Sequence, residues 1–202
     1  MLVAGRAHRI PFIENADYYG IDRGAICCLR QKIRMKKAIG DFDSVTDDEL
    51  KELKQNTQVI ELPVHKNETD SEAAILIAME DGYEEIILFG GLGGRIDHEL
   101  VNFYLMLYRG YPLTLMDENN VVKVLSSGTY EIEKTHTYLS FLPLENSCIT
   151  EEGVAYPLKQ RKLTIQDIYT TSNEIIHEKA NVTIHYGRVL MMQCNDVKEK
   201  IF

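Results

Sequence analysis

Short apolar runs alternate with helical stretches over the first 117 residues, and this alternation constrains the fold more than any other feature. The run 84–91 (EEIILFGG) is continuously apolar at its centre, which is typical of a strand buried on both faces of a parallel sheet. Because strands that alternate with helices form parallel sheets, the sequence predicts an α/β domain here. The other predicted strand segments are 2–5, 18–24, 36–44, 58–63 and 112–117.

Capping residues mark where the predicted helices begin and end. Thr46 and Thr69 each stand three residues before a glutamate, which is the spacing of a capping box. The helix after Thr69 ends near Gly82, and a later helix follows the glycine-rich stretch 90–94 and ends at Gly110. The predicted buried face of this later helix has intervals of four, three and four and consists of Ile96, Leu100, Phe103 and Leu107.

The character of the sequence changes at about Glu118. Beyond it come short β-rich runs separated by turn residues, including VVKVLS, TYEIE, THTYLSFLPL, ANVTIHYG and RVLMMQ. No amphipathic helix of useful length interrupts them, which favours an antiparallel sandwich or barrel. We therefore predict two domains, an α/β domain at 1–118 and an all-β domain at 119–202.

Composition excludes several functional classes. The net charge of −9 argues against a protein that works through broad contact with nucleic acid. No stretch approaches the ~20 apolar residues that span a bilayer, so we expect no membrane association. The four cysteines include no CxxC pair, which argues against a structural zinc site, and their small number suits a reducing cytoplasm.

Asp41 and Asp43, in the motif GDFDS, follow a predicted strand and are separated by one residue. In an extended chain positions i and i+2 point the same way, so we expect both carboxylates to face together, with Phe42 packed on the opposite side. Open α/β sheets bind ligands at the carboxyl ends of their strands, and Mg²⁺ takes carboxylate oxygens together with substrate phosphates. The motif alone fits either a magnesium site or a solvated turn before a helix.

Three other loops at predicted strand ends carry residues suited to the same chemistry. Asp70 lies at a helix start, where it could serve as a cap or a metal ligand. The stretch 90–98 (GGLGGRIDH) combines glycines, which let a ligand approach the backbone, with Arg95, which can pair with phosphate. Asp22 lies in the remaining loop. Together with Asp41 these loops predict a phosphate and Mg²⁺ site.

At this point the sequence closely resembles the thiamine pyrophosphokinase family, especially its bacterial form. The matching motifs run in order along nearly the whole chain and are LVAG, IDRGA, IGDFDS, KNETDSEAAI, GGLGGRIDHELVN, GVAYPL and TTSNE. The combination of GDFDS, TD and GGRxDH is highly specific. The family fold, an α/β domain followed by a β-sandwich, agrees with the order predicted from the residues themselves.

The resemblance implies Mg²⁺-dependent transfer of the pyrophosphoryl group of ATP to the thiamine hydroxyl, giving thiamine diphosphate and AMP. It also implies a homodimer in which the sandwich of one chain completes the nucleotide site of the other. The residues it assigns to the nucleotide are Gly5, Asp22, Lys66, Thr69, Gly91, Arg95 and His98. Those assigned to the metal are Asp41, Asp43 and Asp70. The catalytic set is Asp70, Arg95 and Asp97, and the thiamine-binding set is Tyr156, Ser172 and Asn173.

Three positions depart from the family pattern. Asn67 stands where an acid is common, and Gly5 with Arg6 replaces a pair of glycines, which adds a possible phosphate contact. Tyr156 stands where tryptophan is usual. A tyrosine ring can still stack on thiamine, with less area.

Phosphoryl-type transfer depends mainly on positioning and on charge stabilisation around the transferred group. We expect Arg95 to stabilise charge on the phosphates, and either Asp97 or Asp70 to assist loss of the hydroxyl proton. Two alternatives stay open from the sequence. One is a pyrophosphokinase for another alcohol, such as a hydroxymethyl pterin. The other is a nucleotide-binding sensor without turnover, which the full set of aspartates and Arg95 disfavours.

Overall fold

The computed structural model describes residues 1–197 and separates into two compact units, Met1–Glu118 and a second that begins at Asn119. The first unit is α/β and the second is built from strands. The predicted fold class, a parallel-sheet α/β unit followed by an all-β sandwich, is confirmed. Each unit has its own buried apolar core.

The first unit is organised around a parallel sheet. Its strands are β1 (Leu2–Val3), β2 (Tyr18–Ile21), β3 (Met35–Gly40), β4 (Gln58–Glu61), β5 (Ile86–Phe89) and β6 (Leu113–Met116). They lie in the order β4-β3-β2-β1-β5-β6, and each neighbouring pair within this set is parallel. The chain therefore builds outward from β1 to β4 and then returns to the other side of β1. Ligands bind at such a reversal of strand order, outside the carboxyl ends of the strands.

Four helices connect these strands. They are α1 (Arg23–Arg30), α2 (Asp47–Asn56), α3 (Asp70–Glu80) and α4 (Ile96–Leu107). The predicted capping box at the start of α2 is formed, because the Thr46 side chain accepts from the Glu49 N–H while the Glu49 carboxylate accepts from the Thr46 N–H. At the start of α3 the Thr69 hydroxyl accepts from the Glu72 N–H at 3.1 Å.

The predicted buried face of α4 is wrong at Ile96 and Leu100, whereas Phe103 and Leu107 are half-buried. Ile96 and Leu100 are 66% and 51% exposed, whereas Asn102, Leu105 and Met106 are buried. The helix carries apolar residues on more than one face, so periodicity alone did not identify the face that packs on the sheet. The other face leaves a row of apolar side chains uncovered within the described chain.

The second unit contains two antiparallel sheets. Its strands are β7 (Asn120–Leu125), β8 (Gly128–Glu133), β9 (Tyr138–Pro143), β10 (Ser147–Glu152), β11 (Leu158–Leu163), β12 (Lys179–Tyr186) and β13 (Val189–Cys194). β13 lies between β7 and β9, and the other sheet has the order β11-β10-β12-β8. The runs predicted as strands correspond to β7, β8, β9, β12 and β13. Neither β10 nor β11 was predicted.

Candidate active site

Three carboxylates lie together at the carboxyl ends of neighbouring strands. Asp22 directly follows β2, Asp41 directly follows β3, and Asp70 is the first residue of α3, after β4. One carboxylate oxygen from each lies within 4.8 Å of the other two. Asp41 and Asp70 were in the metal set implied by the resemblance, whereas Asp22 was expected to contact the nucleotide. We call these three residues the carboxylate cluster.

The backbone around Asp22 holds its side chain in a single place. Asp22 has φ 45° and ψ −119°, a conformation that is strained for any residue except glycine. Its Oδ1 accepts from the Phe42 N–H at 3.3 Å, and its own N–H donates to the carbonyl of Ile39 at 3.1 Å. A Cβ atom at Gly40 would stand 1.8 Å from Asp22 Oδ1, so only glycine leaves room for this carboxylate. The strain is therefore maintained by contacts from the neighbouring strand end.

The electrostatics of the cluster disfavour three charged carboxylates on their own. Burial raises the pKa of Asp22 to about 7, and the charge of Asp70 adds to that rise. The charges of Asp41 and Asp43 raise it further, while the hydrogen bond from Phe42 lowers it. A nearby cation reverses this balance because it favours the ionised form of each acid.

Lys66 supplies one positive charge to the cluster. Its Nζ lies 2.8 Å from Asp70 Oδ1, and both side chains are mostly buried. Burial would lower the pKa of Lys66, but its hydrogen bond to Asp70 and the charges of Asp70, Asp41 and Asp22 outweigh burial and raise it. Apart from this ion pair, the buried Asp70 Oδ1 has no hydrogen-bond partner among residues 1–197. An oxygen in this position, beside two further carboxylates, fits the oxygen-only ligand set of a divalent cation.

The expected extended geometry at Asp41 and Asp43 is wrong. β3 ends at Gly40, and Phe42 has φ 55°, so the two aspartates do not alternate along a strand. Phe42 is buried in the core, as expected, but it reaches the core from a turn. The Asp43 N–H donates to Asp41 Oδ1 at 3.1 Å, and the Asp43 side chain lies outside the carboxylate cluster. Its predicted role as a ligand stays a prediction.

Arg95 and Asp97 form a two-point ion pair at the start of α4. Arg95 Nε and Nη2 donate to the two Asp97 oxygens at 3.1 and 2.6 Å. The hydrogen bond from Arg95 lowers the pKa of Asp97, and the N–H of His98 donates to the same carboxylate. Arg95, Asp97 and His98 are all exposed to solvent. An Asp97 carboxylate held in this way is ionised at neutral pH.

A cavity of about 430 Å³ joins these elements at the reversal of strand order. It opens beside β1, β2, α3 and α4. The residues expected in the site that line it are Gly5, Asp22, Thr69, Asp70, Asp97 and His98. Asp41 lies in the carboxylate cluster with Asp70, Lys66 forms an ion pair with Asp70, and the Gly91 carbonyl accepts a hydrogen bond from Asn102, which lines the cavity. The predicted site residues of the first unit are thus drawn from one edge of the sheet.

The sequence did not single out Arg23, Ser71 or Asn102, which also line the cavity. The Asn102 amide donates to the carbonyl of Gly91 at 2.8 Å and is buried, so it holds the glycine-rich loop against α4. An asparagine inside the apolar stretch ELVNFYL was a usable signal for such a role. Arg23 pairs with Glu49 at 3.0 Å, and no pattern in the sequence indicated that contact.

The residues expected to bind thiamine lie in two adjacent loops of the second unit. Tyr156 is 72% exposed, and Ser172 is exposed with φ 60°. Asn173 is buried, and its amide is engaged by protein groups on all sides. Tyr156 and Ser172 therefore offer an open surface, and Asn173 lies beneath it.

Across residues 1–197 no helix has the length and apolarity to cross a membrane.

The fold and the site define a class of protein, an α/β unit with an acidic site at the ends of its parallel strands, followed by a β-sandwich unit. Residues 12–114 match the model of the thiamin pyrophosphokinase catalytic domain, and residues 129–190 match the thiamin pyrophosphokinase vitamin B1 binding domain. The chain belongs to the thiamine pyrophosphokinase family.

Individual relatives agree with this assignment. The thiamine pyrophosphokinase of Bacillus subtilis (strain 168) is 31% identical over 192 residues, which cover 91% of this chain and 89% of that protein. A crystal structure of thiamine pyrophosphokinase from Bacillus subtilis matches with a TM-score of 0.86 at 30% identity, covering 97% of this chain and 98% of that one. A thiamin pyrophosphokinase family protein from Enterococcus faecalis matches with a TM-score of 0.85 at 30% identity and the same coverage of both chains.

The raised pKa of Asp22 gives a testable dependence of stability on pH. The pKa is about 7 in the folded chain and 3.8 ordinarily, so between these values the unfolded chain loses the proton that the folded chain keeps. Stability without metal therefore falls as pH rises through this window. Asp22→Asn cannot ionise and should be more stable than the wild type at pH 8 by about 2 kcal/mol, since each pKa unit corresponds to about 1.4 kcal/mol and solvent screens part of it.

Urea unfolding in EDTA from pH 4 to pH 8 measures this difference, which should nearly vanish at pH 4. Asp48→Asn, at an exposed position in the first turn of α2, is the matched control and should follow the wild type. If the free energies of unfolding of Asp22→Asn and the wild type differed by the same amount at every pH, the pKa of Asp22 would not be raised in the folded chain.

Proposed function

We propose that this protein transfers the pyrophosphoryl group of ATP to the hydroxyl group of thiamine, giving thiamine diphosphate and AMP. One observation carries the proposal. A single chain joins a carboxylate cluster at the ends of parallel strands to a unit that matches the vitamin B1 binding domain. The first feature suits a cation and a triphosphate, and the second suits the acceptor alcohol.

Asp22, Asp41 and Asp70 are the residues that would hold Mg²⁺. Burial and the charge of Asp70, which raise the pKa of Asp22, both favour a cation at this point, as does the buried Asp70 oxygen, whose one close partner among residues 1–197 is Lys66. Bound Mg²⁺ would neutralise and orient the phosphate oxygens of ATP. We assign Asp43 a supporting role, since its N–H donates to Asp41 while its side chain is exposed.

The triphosphate has several cationic and backbone partners around the cavity. Lys66 lies beside Asp70, and a Cβ atom at Gly94 would stand 2.6 Å from Arg6 Nη1, so the Arg6 guanidinium rests against the glycine-rich loop. Gly5, Thr69 and His98 line the cavity. Gly5 lies in the turn after β1 and has no side chain that would keep a phosphate from the backbone. These contacts are local, which is how an acidic chain can bind an anion.

The proposed reaction needs a proton acceptor beside the phosphates. The thiamine oxygen forms a bond to the β-phosphorus, the bond from that phosphorus to the oxygen shared with the α-phosphate breaks, and AMP leaves with that oxygen. The hydroxyl proton must go to a base. We assign it to Asp97, because Asp70 already faces Lys66 and the cluster, while Asp97 is ionised and lines the cavity. Arg95 then stabilises charge on the transferred group.

The acceptor binds through the exposed loop residues of the second unit. The Tyr156 ring is open for stacking on a heteroaromatic ring, and the Ser172 hydroxyl lies in the adjacent loop. Both residues fall within the segment that matches the vitamin B1 binding domain. This match favours thiamine over a pterin as the acceptor.

Product analysis tests the reaction, and two aspartate variants test the site. With ATP, Mg²⁺ and thiamine, the wild type should release AMP and thiamine diphosphate in equal amounts. Asp41→Asn should lower turnover at least a hundredfold, on the order of a lost charge contact in the transition state. Asp43→Asn should have a clearly smaller effect, because its carboxylate lies outside the cluster.

Asp48→Asn again serves as the matched control, and circular dichroism checks that each variant is folded. Release of ADP would indicate an ordinary kinase and would contradict the proposal. An absence of turnover in the wild type would favour the nucleotide-binding sensor. Loss of activity in Asp43→Asn with full activity in Asp41→Asn would overturn the assignment of the cluster.

We also propose that the protein is a homodimer that uses the exposed face of α4. Ile96, Leu100, Tyr104 and Tyr108 follow one another at intervals of four residues and are 51–73% exposed. The rings of Tyr104 and Tyr108 lie in contact, with centroids 4.7 Å apart. A contiguous exposed apolar row of this kind is typical of an interface between protein chains.

Light scattering during size-exclusion chromatography measures the assembly. The wild type should have twice the chain mass of 23.1 kDa, and Leu100→Glu should shift it toward one chain mass, because a buried unpaired charge opposes association. Ile165→Glu, at a position 68% exposed in the second unit, is the control and should stay dimeric. A monomeric wild type would contradict the proposal.

A further inference from the structure

Glu151 is a buried acid that the proposed mechanism does not use. It lies in β10 and is 1% exposed. Its Oε2 accepts one hydrogen bond, from Asn173 Nδ2 at 3.1 Å, and its Oε1 has no partner among residues 1–197. A carboxyl buried with so few partners costs free energy compared with an apolar residue of similar size. Because burial of Glu151 is costly, its one hydrogen bond, to Asn173, is the interaction through which it can have a role.

That contact leads to an asparagine whose amide is fully used. Asn173 Nδ2 donates to Glu151 and to the carbonyl of Tyr156, the latter at 3.0 Å. Asn173 Oδ1 accepts from the N–H groups of Tyr156 and Glu174, both at 3.0 Å. An asparagine amide offers two donor hydrogens and two acceptor positions, so all four are occupied. None of them is left for a ligand.

The Asn173 amide makes the two backbone hydrogen bonds to Tyr156 that a neighbouring strand would otherwise make, because it bonds both the N–H and the carbonyl of that residue. Backbone bonds continue this pairing on either side, from Ala155 N–H to the Glu174 carbonyl at 2.9 Å and from Ile176 N–H to the Gly153 carbonyl at 3.0 Å. The segments 153–156 and 173–176 are thereby joined into one unit, which we call the paired loops.

The backbone of Asn173 is fixed by the other sheet of the sandwich. It exchanges two hydrogen bonds with Leu139 of β9, at 2.8 and 3.0 Å. Asn173 therefore links β9 in one sheet with Glu151 in the other. With both ends held, the amide can turn only by giving up several bonds at once.

We propose that Glu151 is a positioning residue for thiamine: through Asn173 it holds the paired loops and so sets the place of the exposed Tyr156 ring. The inference rests on the proposed function, in which Tyr156 stacks on the acceptor. Without the Glu151 acceptor, one Nδ2 hydrogen of Asn173 would be buried and unsatisfied. The amide would then shift to regain a partner and would loosen its hold on Tyr156.

Kinetics of two substitutions at Glu151 test this role. Glu151→Met removes the acceptor with an unbranched side chain of similar length, and should raise the KM for thiamine about tenfold, as one unsatisfied buried group implies. The KM for ATP should stay within about twofold of the wild type, because the loops belong to the second unit. Glu151→Gln keeps an oxygen that accepts from Asn173, and should restore the KM for thiamine to within about twofold.

Ser147→Ala is the matched control, since Ser147 is a buried polar residue of the same strand whose hydroxyl has no hydrogen-bond partner among residues 1–197. Its KM for thiamine should equal that of the wild type. If Glu151→Met did not fold, Asn173→Ser would break the same link from the other end and should show the same rise.

The outcomes separate the two proposals. A wild type that forms no thiamine diphosphate overturns the proposed function itself. Normal wild-type turnover overturns only the role of Glu151 if the thiamine KM is unchanged in Glu151→Met, or if the KM values for thiamine and ATP rise together. Failure of Glu151→Gln to restore the KM would also overturn it, because any acceptor at this place should suffice.

Discussion

The mutual repulsion of three carboxylates at the ends of β2, β3 and β4 is the constraint on which the rest of the site depends. Asp22 is held there by strained backbone and by the space that Gly40 leaves. The cost appears in its pKa, raised to about 7 first by burial and then by the neighbouring acids. The ion pair between Lys66 and Asp70 offsets part of this repulsion. A divalent cation would offset the remainder, which explains why such an arrangement suits a triphosphate-using enzyme.

Much of the α/β unit could be predicted from the sequence because its signals are local. The apolar run of β5 and the cap at Thr46 depend on neighbouring residues alone. The chemistry of the strand ends was also readable, since parallel strands bring their carboxyl ends to one edge. The local sequence pattern did not predict the backbone conformation of the turns that follow β2 and β3. Phe42 adopts a positive φ, so the Asp43 side chain lies outside the cluster, while the strained backbone of Asp22 places that residue within it.

The second unit was harder to predict because its strands and loops are defined by contacts between distant residues, which leave little local signal in the sequence. β11 (LKQRKL) is mostly exposed and charged, so it lacks the alternation that identifies a half-buried strand. The role of Asn173 was likewise hidden, because its partners Glu151 and Tyr156 become neighbours only when the paired loops form. The resemblance to the family assigned Tyr156, Ser172 and Asn173 to thiamine, and the fold separates the exposed Tyr156 and Ser172 from the buried Asn173.

The most direct test of the account is the location of a divalent ion beside bound nucleotide. Crystals grown with Mn²⁺ in place of Mg²⁺ and a non-hydrolysable ATP analogue would show the ion by its anomalous scattering. We expect a peak about 2.1 Å from oxygens of Asp41 and Asp70, with Asp22 in or next to the coordination sphere. A peak bound by Asp43 without Asp41, or a nucleotide bound with no ion at the carboxylate cluster, would contradict the account.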